Sequence, residues 1–136
     1  MLGSGSQKGA VFSIHCPSRK VLKHVTSQWG VLVLCALLTG THRFSQLRRK
    51  IEGISEKMLT QTLKTFEEDG LLLRVSYPVI PPHVEYTLTP AGLEVATRIQ
   101  ALTLWIEDNW AMLLKPTEEG DARAALQGCE ARIHTP

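Results

Sequence analysis

The stretch SEKMLTQTLKTFEEDG, from Ser55 to Gly70, decides the fold that this sequence predicts. Leu59, Leu63 and Phe66 recur at helical spacing and form an apolar stripe, which must be buried. Ser55 is suited to cap the first turn, and Gly70 is suited to the left-handed conformation that ends a helix. The stretch is therefore predicted to be an amphipathic helix with both of its ends defined.

The opposite side of this helix carries Lys57, Thr60, Gln61 and Lys64. Side chains of these types donate to and accept from base edges when a helix lies in the major groove of DNA. We therefore call the stretch the recognition helix. An ordinary solvated helix surface is the alternative interpretation of the same four residues.

A shorter helix is predicted just before it, in SQLRRKIEGI (45–54). Ser45 is expected to cap this helix, which would bury Leu47 and Ile51 and expose Arg48, Arg49 and Lys50. Gly53 then breaks it. Two short helices joined by a glycine-containing turn of about four residues are typical of a helix-turn-helix.

Two strands are predicted after the recognition helix, in LLLRVSY (71–77) and HVEYTL (83–88), joined by PVIPP. Alternation places Leu71, Leu73, Val75 and Tyr77 on one side of the first strand. A hairpin in this position is a wing. Arg74 and His83 are expected on its polar side, within reach of phosphate or of a minor groove; a solvated strand residue is the alternative for His83.

Two further helices are predicted on the amino-terminal side. Ser18 is expected to cap the first, which has apolar residues spaced for one buried face. The second runs from Trp29 to Leu38, is apolar nearly all round and ends at Gly40. A helix of that kind lies at the centre of a core.

A long helix closes the predicted domain, with Thr89 as its cap, Pro90 as its first residue and an end near Leu114. It carries a heptad seam and a second apolar row, so one small domain would leave part of it exposed. Self-association is the favoured interpretation, and a fully internal helix is the alternative. The residues expected at the dimer interface are Val21, Val25, Val95, Ile99, Leu102, Ile106, Asn109 and Leu113.

Composition is that of one compact domain: 136 residues, 43% hydrophobic and 21% charged. The formal charge is only +2, but the segment from Arg43 to Lys64 holds six basic and two acidic residues, a local net charge of +4. Basic charge therefore concentrates where the recognition helix lies, which favours a nucleic-acid partner.

Several classes of protein are disfavoured. The sequence has no glycine-rich phosphate loop, no nucleophile elbow and no His-Glu-x-x-His, and its five histidines lack ligand spacing. No enzyme activity, cofactor or metal site is expected. Three cysteines without CxxC spacing, no signal-peptide pattern and no apolar run long enough for a bilayer predict a cytoplasmic protein.

The predicted fold class is α+β, mainly α: a winged helix-turn-helix with a long carboxy-terminal dimerisation helix. Residues 1–15 are expected to be a flexible segment, residues 16–114 the domain, residues 90–114 its dimerisation helix, and residues 115–136 a flexible tail.

Several motifs together resemble one known family. They are Cys16-Pro17, Trp29-Gly30, THRFSQLRRKIEGISEKMLTQTLKTFEEDGLLLR and SYPVIPPHVEYTLTPAG. In this order and spacing they resemble the HxlR-type, MarR-like winged helix-turn-helix regulators of bacteria, over about Cys16 to Trp110. The resemblance implies a dimeric transcription factor, with recognition helices in major grooves, wings on flanking DNA, and a dimer built from the first and last helices.

Some members of that family sense oxidants or electrophiles through the cysteine before the first helix, and Cys16 matches that position. His15, Arg19 and Lys20 lie nearby in sequence, and a helix N-terminus follows, so the pKa of the thiol is expected to be lowered. An unreactive, packed cysteine is the alternative. Cys35 is expected to be a packing residue, and Cys129 has no assigned role.

The predicted function is that of a sequence-specific transcriptional regulator that binds double-stranded DNA as a homodimer on an inverted-repeat operator. Modification of Cys16 is its candidate switch, and a small-molecule effector is a further candidate. A winged-helix module for protein contacts, without specific DNA binding, is the alternative. The predicted DNA-contacting residues are Arg43, Ser45, Arg48, Arg49, Ser55, Lys57, Thr60, Gln61, Lys64, Arg74 and His83.

Overall fold

The computed structural model describes residues 8–114, which form five helices and a three-stranded antiparallel sheet. The helices are α1 Pro17–Thr26, α2 Gln28–Leu37, α3 Phe44–Lys50, α4 Glu56–Glu68 and α5 Pro90–Leu113. The strands are β1 His42–Arg43, β2 Leu72–Tyr77 and β3 His83–Leu88. The predicted mainly helical winged fold is confirmed. The predicted tail, with Cys129, and residues 1–7 lie outside the described residues.

The core is built around α2, as its apolar sequence predicts. Val33 and Leu34 of α2 are completely buried, and so is Leu59 of α4, the recognition helix. Gly30 allows α4 to approach closely, because a Cβ at this position would lie 2.9 Å from Cζ of Phe66 and would overlap the carbonyl oxygen of His24. The recognition helix is therefore seated on α2 at a point where no larger residue fits.

The predicted ends of α4 and α5 are confirmed. The Ser55 hydroxyl accepts a hydrogen bond from the backbone N–H of Met58 at 3.0 Å, and Gly70 has a φ of +78°. At the start of α5, the Thr89 hydroxyl accepts from the N–H of Gly92 at 3.0 Å. Caps of this kind satisfy backbone groups that a helix end leaves without partners.

The two serine caps predicted for α1 and α3 are wrong. α1 begins at Pro17, whose fixed φ suits the first helical position, so Cys16 is the N-cap and Ser18 lies inside the helix. α3 begins at Phe44, directly after the extended residues of β1, and Ser45 again lies inside the first turn. Instead, the Gln46 side chain accepts a hydrogen bond from the N–H of Arg43 at 2.8 Å and so caps the amino-terminal end of α3.

β3 lies in the middle of the sheet, between β1 and β2. Its register pairs Leu72 with Leu88, and both of these side chains are buried against the helices. The side of β2 that carries Leu73 and Val75 is therefore the exposed, outer face of the sheet. The sequence did not predict β1, because two residues are too few to show alternation.

α5 leaves the sheet at Gly92, where a Cβ would overlap the carbonyl oxygen of Leu71. At 24 residues the helix is about 36 Å long. Residues up to Gln100 form one compact unit, and α5 from Ala101 onward belongs to a second unit. Among the helices of residues 8–114, none combines the length and apolarity that crossing a membrane requires.

Candidate nucleic-acid interface

The exposed side of α4 brings together the four side chains that the sequence predicted there. Lys57, Thr60, Gln61 and Lys64 line one open depression, and all four are exposed. The Thr60 hydroxyl donates to the carbonyl oxygen of Glu56 at 2.8 Å, which leaves its oxygen lone pairs and its methyl group for another partner. The face thus offers two ammonium groups, one carboxamide and one methyl group, a set that suits base edges in a major groove.

Glu56 is the member of this face that sequence analysis missed. It lies four residues before Thr60, and that spacing is the signal that places both residues on one side of a helix. A carboxylate in the first turn is favoured by the helix dipole. Its Oε2 atom lies 4.0 Å from Nη1 of Arg48, in an exposed pair that contributes little to stability and leaves Arg48 available.

Ser45, Arg48 and Arg49 are exposed on α3, where side chains can contact phosphate. Arg49 lines a polar basin together with His42 and Lys50, and no carboxylate lines this basin. Lys50 was missed among the candidate contacts, although it is the third of three consecutive basic residues. Its ammonium donates to Thr39 at 2.8 Å, and the His42 Nδ1–H donates to the carbonyl oxygen of Gly40 at 2.7 Å.

The expectation that Arg74 and His83 share one side of the wing is wrong. Within each strand, alternation predicts correctly which residues share a face. The register between the strands, however, pairs Arg74 with Tyr86 and His83 with Tyr77, on opposite faces of the sheet. His83 also has partners within the wing: its ring stacks on Tyr77 with centroids 4.9 Å apart, and its Nε2 lies 3.3 Å from Oε2 of Glu85.

Arg43, the last residue of β1, is exposed on the outer face of the sheet. The register places it directly opposite Glu85 of β3. Glu85 therefore lies between two of the predicted DNA-contacting residues, Arg43 and His83. The role of every predicted contact in binding DNA stays a prediction.

Cys16 is the N-cap of α1 and is half-buried. Its Sγ accepts a hydrogen bond from the N–H of Ala10 at 3.3 Å and another from the hydroxyl of Ser18 at 3.0 Å. The bond from the Ala10 backbone, followed by the bonds from the side chain and backbone of Ser18, lowers the pKa of the Cys16 thiol. The predicted direction is therefore right. Of its two predicted causes, the helix N-terminus contributes through the Ser18 backbone, whereas no basic side chain is among the causes and Arg19 donates to the Phe12 carbonyl at 3.3 Å.

The residues predicted for dimerisation differ in how much surface they offer. Val25 is only 7% exposed and belongs to the core of its own chain, while Val21, Val95 and Ile99 pack against that core. In the second unit Leu102, Ile106 and Leu113 are exposed, the first of them by 55%. The Asn109 side chain donates to the carbonyl oxygen of Trp105 at 2.9 Å, within its own helix.

Within the described part of the chain, no three side chains of His, Cys, Asp or Glu lie close enough together to hold a metal ion.

Comparison with known proteins identifies the family to which the chain belongs. A family model described as HxlR-like helix-turn-helix matches residues 24–113. The chain is 58% identical over 113 residues to an uncharacterized HTH-type transcriptional regulator, YtfH, of Escherichia coli K12, which covers 83% of this chain and 90% of that protein.

Two solved structures are also similar. The ytfH protein of Salmonella typhimurium shares 61% identity, with a TM-score of 0.74 over 78% of this chain and 95% of that one. The redox regulator HypR in its oxidized form shares 32% identity, with a TM-score of 0.64 over 69% of this chain and 97% of that one. With the family model spanning most of its length, the chain belongs to the HxlR-like helix-turn-helix family of transcriptional regulators.

Proposed function

We propose that this regulator binds double-stranded DNA as a homodimer and recognises an inverted-repeat operator through its two α4 helices. The observation that carries the proposal is the two-sided character of α4. One side is buried in the core through Leu59, Leu63 and Phe66, and the other presents Lys57 and Gln61 to solvent. A seated helix with an exposed polar face supports base reading, because its contacts are oriented before DNA arrives.

The exposed apolar rows of α5 support the proposed dimer. Leu102, Ile106 and Leu113 belong to one row, and Trp105 and Met112 to another, and all five are exposed. Exposed apolar surface of this kind marks an interaction site, and a second copy of the same helix is the simplest partner. Two recognition helices related by a two-fold axis would enter major grooves about 34 Å apart.

The test is selection of bound fragments from a random-sequence DNA library, followed by fluorescence anisotropy on the selected DNA and on a scrambled version. We expect enrichment of an inverted repeat with half-sites about 10 base pairs apart, and an affinity that falls steeply with salt. No enrichment, together with equal weak binding to both DNAs, would overturn the proposal. A protein-interaction module would then be the better account.

Cys16 is proposed as the switch of this regulator. The hydrogen bonds that lower the pKa of its thiol favour the thiolate, which is the nucleophilic form. A thiolate adds to an electrophilic alkene by forming one S–C bond as the π bond of the alkene breaks. The neighbouring carbon receives the electron pair of that bond and takes a proton from water, which leaves hydroxide. The chain is also similar to HypR, which is described as a redox regulator, and this supports a role for Cys16 in regulation.

The switch is tested with N-ethylmaleimide, an electrophile of this kind. We expect modification to weaken binding to the selected DNA, and Cys16→Ser to resist this effect. Because the pKa of the thiol is lowered, modification of Cys16 should continue at pH values below the ordinary range for cysteine. Ser18→Ala, which removes one donor to Sγ, should shift the pH profile upward. Unchanged DNA binding after complete modification of Cys16 would exclude the switch.

A further inference from the structure

A single polar contact joins the last turn of α1 to the end of α4. Nδ1 of His24 lies 2.6 Å from Oδ2 of Asp69, across 45 residues of sequence. The two side chains are only 21% and 12% exposed. A short hydrogen bond to a carboxylate, largely shielded from water, is among the stronger polar contacts that a protein makes. We call this contact the His24–Asp69 bridge.

The bridge lies beside the place where three helices meet. The carbonyl oxygen of His24 and the ring of Phe66 both approach Gly30 so closely that no Cβ fits between them. Close packing of the buried side chains of α4 already restricts its rotation. A hydrogen bond is directional as well. The bridge therefore adds a second constraint on the rotation of α4 about its own axis, at the carboxy-terminal end of the helix.

Helix stability by itself does not explain Asp69. Three consecutive acidic residues, Glu67, Glu68 and Asp69, lie at the carboxy-terminal end of α4, whose last turn contains no basic residue. Negative charge at that end opposes the helix dipole. The last turn of α1, in contrast, contains Lys23, whose positive charge the dipole favours there, and His24, which contacts Asp69. The negative charge at this end of α4 is thus unfavourable for α4 itself, and the neighbouring helix α1 supplies the contact that compensates for it.

The two helices do not pack tightly along their whole length. A cleft of about 180 Å³ lies between them, lined by Lys23 and His24 of α1 and by Met58 and Gln61 of α4, and also by Ser27, the N-cap of α2. Gln61 also belongs to the exposed face that is proposed to read DNA. The cleft leaves this side of α4 less closely supported than its buried stripe, so the contact at the end of α4 helps to set where Gln61 points.

Small rotations are sufficient to disturb base contacts. A side chain that ends about 5–6 Å from the helix axis moves by about 1 Å when the helix turns by about 10°. Hydrogen bonds to base edges tolerate a range of only about 0.5 Å in donor–acceptor distance. Contacts to phosphate by long, flexible lysines are less sensitive, because these contacts depend mainly on charge.

We propose that His24 and Asp69 are positioning residues that fix the rotation of α4 and thereby determine how well its exposed face discriminates between DNA sequences. The inference rests on the proposed DNA-binding function. It assigns neither residue a contact with DNA. Loss of the bridge reduces affinity for the selected DNA and leaves affinity for scrambled DNA nearly unchanged.

The test compares His24→Ala and Asp69→Asn with the double variant His24→Asp/Asp69→His, which restores a pair with its members exchanged. Affinities for selected and scrambled DNA are measured by anisotropy at a temperature where near-ultraviolet circular dichroism shows every variant folded. We expect His24→Ala to lose about 10-fold in affinity for selected DNA and little for scrambled DNA. Asp69→Asn, which keeps a hydrogen-bonding oxygen, should lose less, and the exchanged pair should recover most of the loss.

Val25→Ala is the matched control, because it removes buried volume from the same turn of α1 without touching the bridge. It should lower the stability of the fold and retain the preference for selected DNA. The inference is overturned if the bridge variants discriminate as the wild type does, if the exchanged pair shows no recovery, or if Val25→Ala loses the same preference. If the wild-type protein itself prefers no DNA sequence, the proposed function fails, and the inference fails with it.

Discussion

The recognition helix and the wing are both predicted to contact DNA. They differ in whether the spacing of residues in the sequence predicts correctly which side chains share one face. In α4 the spacing of Lys57, Thr60 and Gln61 was enough to place them on one exposed face, and they lie there. In the wing, Arg74 and His83 were expected together and lie on opposite faces.

The difference has a physical origin. Which residues of a helix share a face depends on a period of 3.6 residues within the helix itself. Which residues of a hairpin share a face depends also on the register between its strands, and one step in register exchanges the two sides. Here the register aligns Leu72 with Leu88, so the polar side of β2 faces the same way as the apolar side of β3.

The largest expected effect, on the stability of the fold, comes from disturbing the packing of α4 against α2. Gly30→Ala would introduce a Cβ 2.6 Å from Oγ of Ser27 and 2.9 Å from the ring of Phe66. Because two of the three neighbouring helices would have to shift, we expect the free energy of unfolding to fall by about 3 kcal/mol. Urea denaturation measures this loss. Gln28→Ala, at an exposed position of the same helix turn, should change it by less than about 0.5 kcal/mol; equal stability of the two variants would contradict the close packing.

A smaller effect is expected when α4 remains in place and only its exposed face changes. Lys57→Glu/Lys64→Glu should lower affinity for the selected DNA about 100-fold, since two attractive contacts become repulsive. Circular dichroism should stay unchanged. Lys20→Glu/Arg98→Glu alters the net charge equally on exposed positions of α1 and α5. If this control lost as much affinity, total charge rather than the α4 face would account for binding.

The smallest effects are expected in the wing, where they distinguish a residue that contacts DNA from a residue that stabilises the hairpin. Arg74→Ala should lower affinity a few-fold and reduce the slope of log K against log salt by about one, as expected for the loss of one phosphate contact. His83→Ala should leave that slope unchanged and lower the free energy of unfolding by about 0.5–1 kcal/mol, because it loses the stack on Tyr77. The reverse pattern would mean that His83, and not Arg74, contacts DNA.

The parts of the fold that local chemistry determines were predictable from sequence. Ser55 and Thr89 cap helices as expected, and Gly70 ends one, because each role depends only on a residue and its neighbours. The predicted caps Ser18 and Ser45 are wrong because Pro17 and the strand β1 place each helix start two residues earlier.

Contacts that no periodic pattern describes were not predictable in this way. The His24–Asp69 bridge joins residues 45 positions apart. The donors to Cys16 lie only six and two residues from it, at Ala10 and Ser18, but the predictions for these two residues are a flexible segment and a helix cap. In each case the fold brings together groups whose separate sequence patterns carry no sign of the contact.

The short helix α1 has a mechanical consequence. Cys16 caps its start and His24 lies in its last turn, so about 12 Å of helix separates the thiol from the His24–Asp69 bridge. A rod of that length tilts by about 10° when one end is lifted by about 2 Å. The backbone of Gly9 lies close to Ser18 and Cys16, so a group added to the sulfur on that side would press on this segment. If Cys16 is the switch proposed above, α1 would transmit a displacement of the sulfur as a change of angle at the His24–Asp69 bridge, and so at α4.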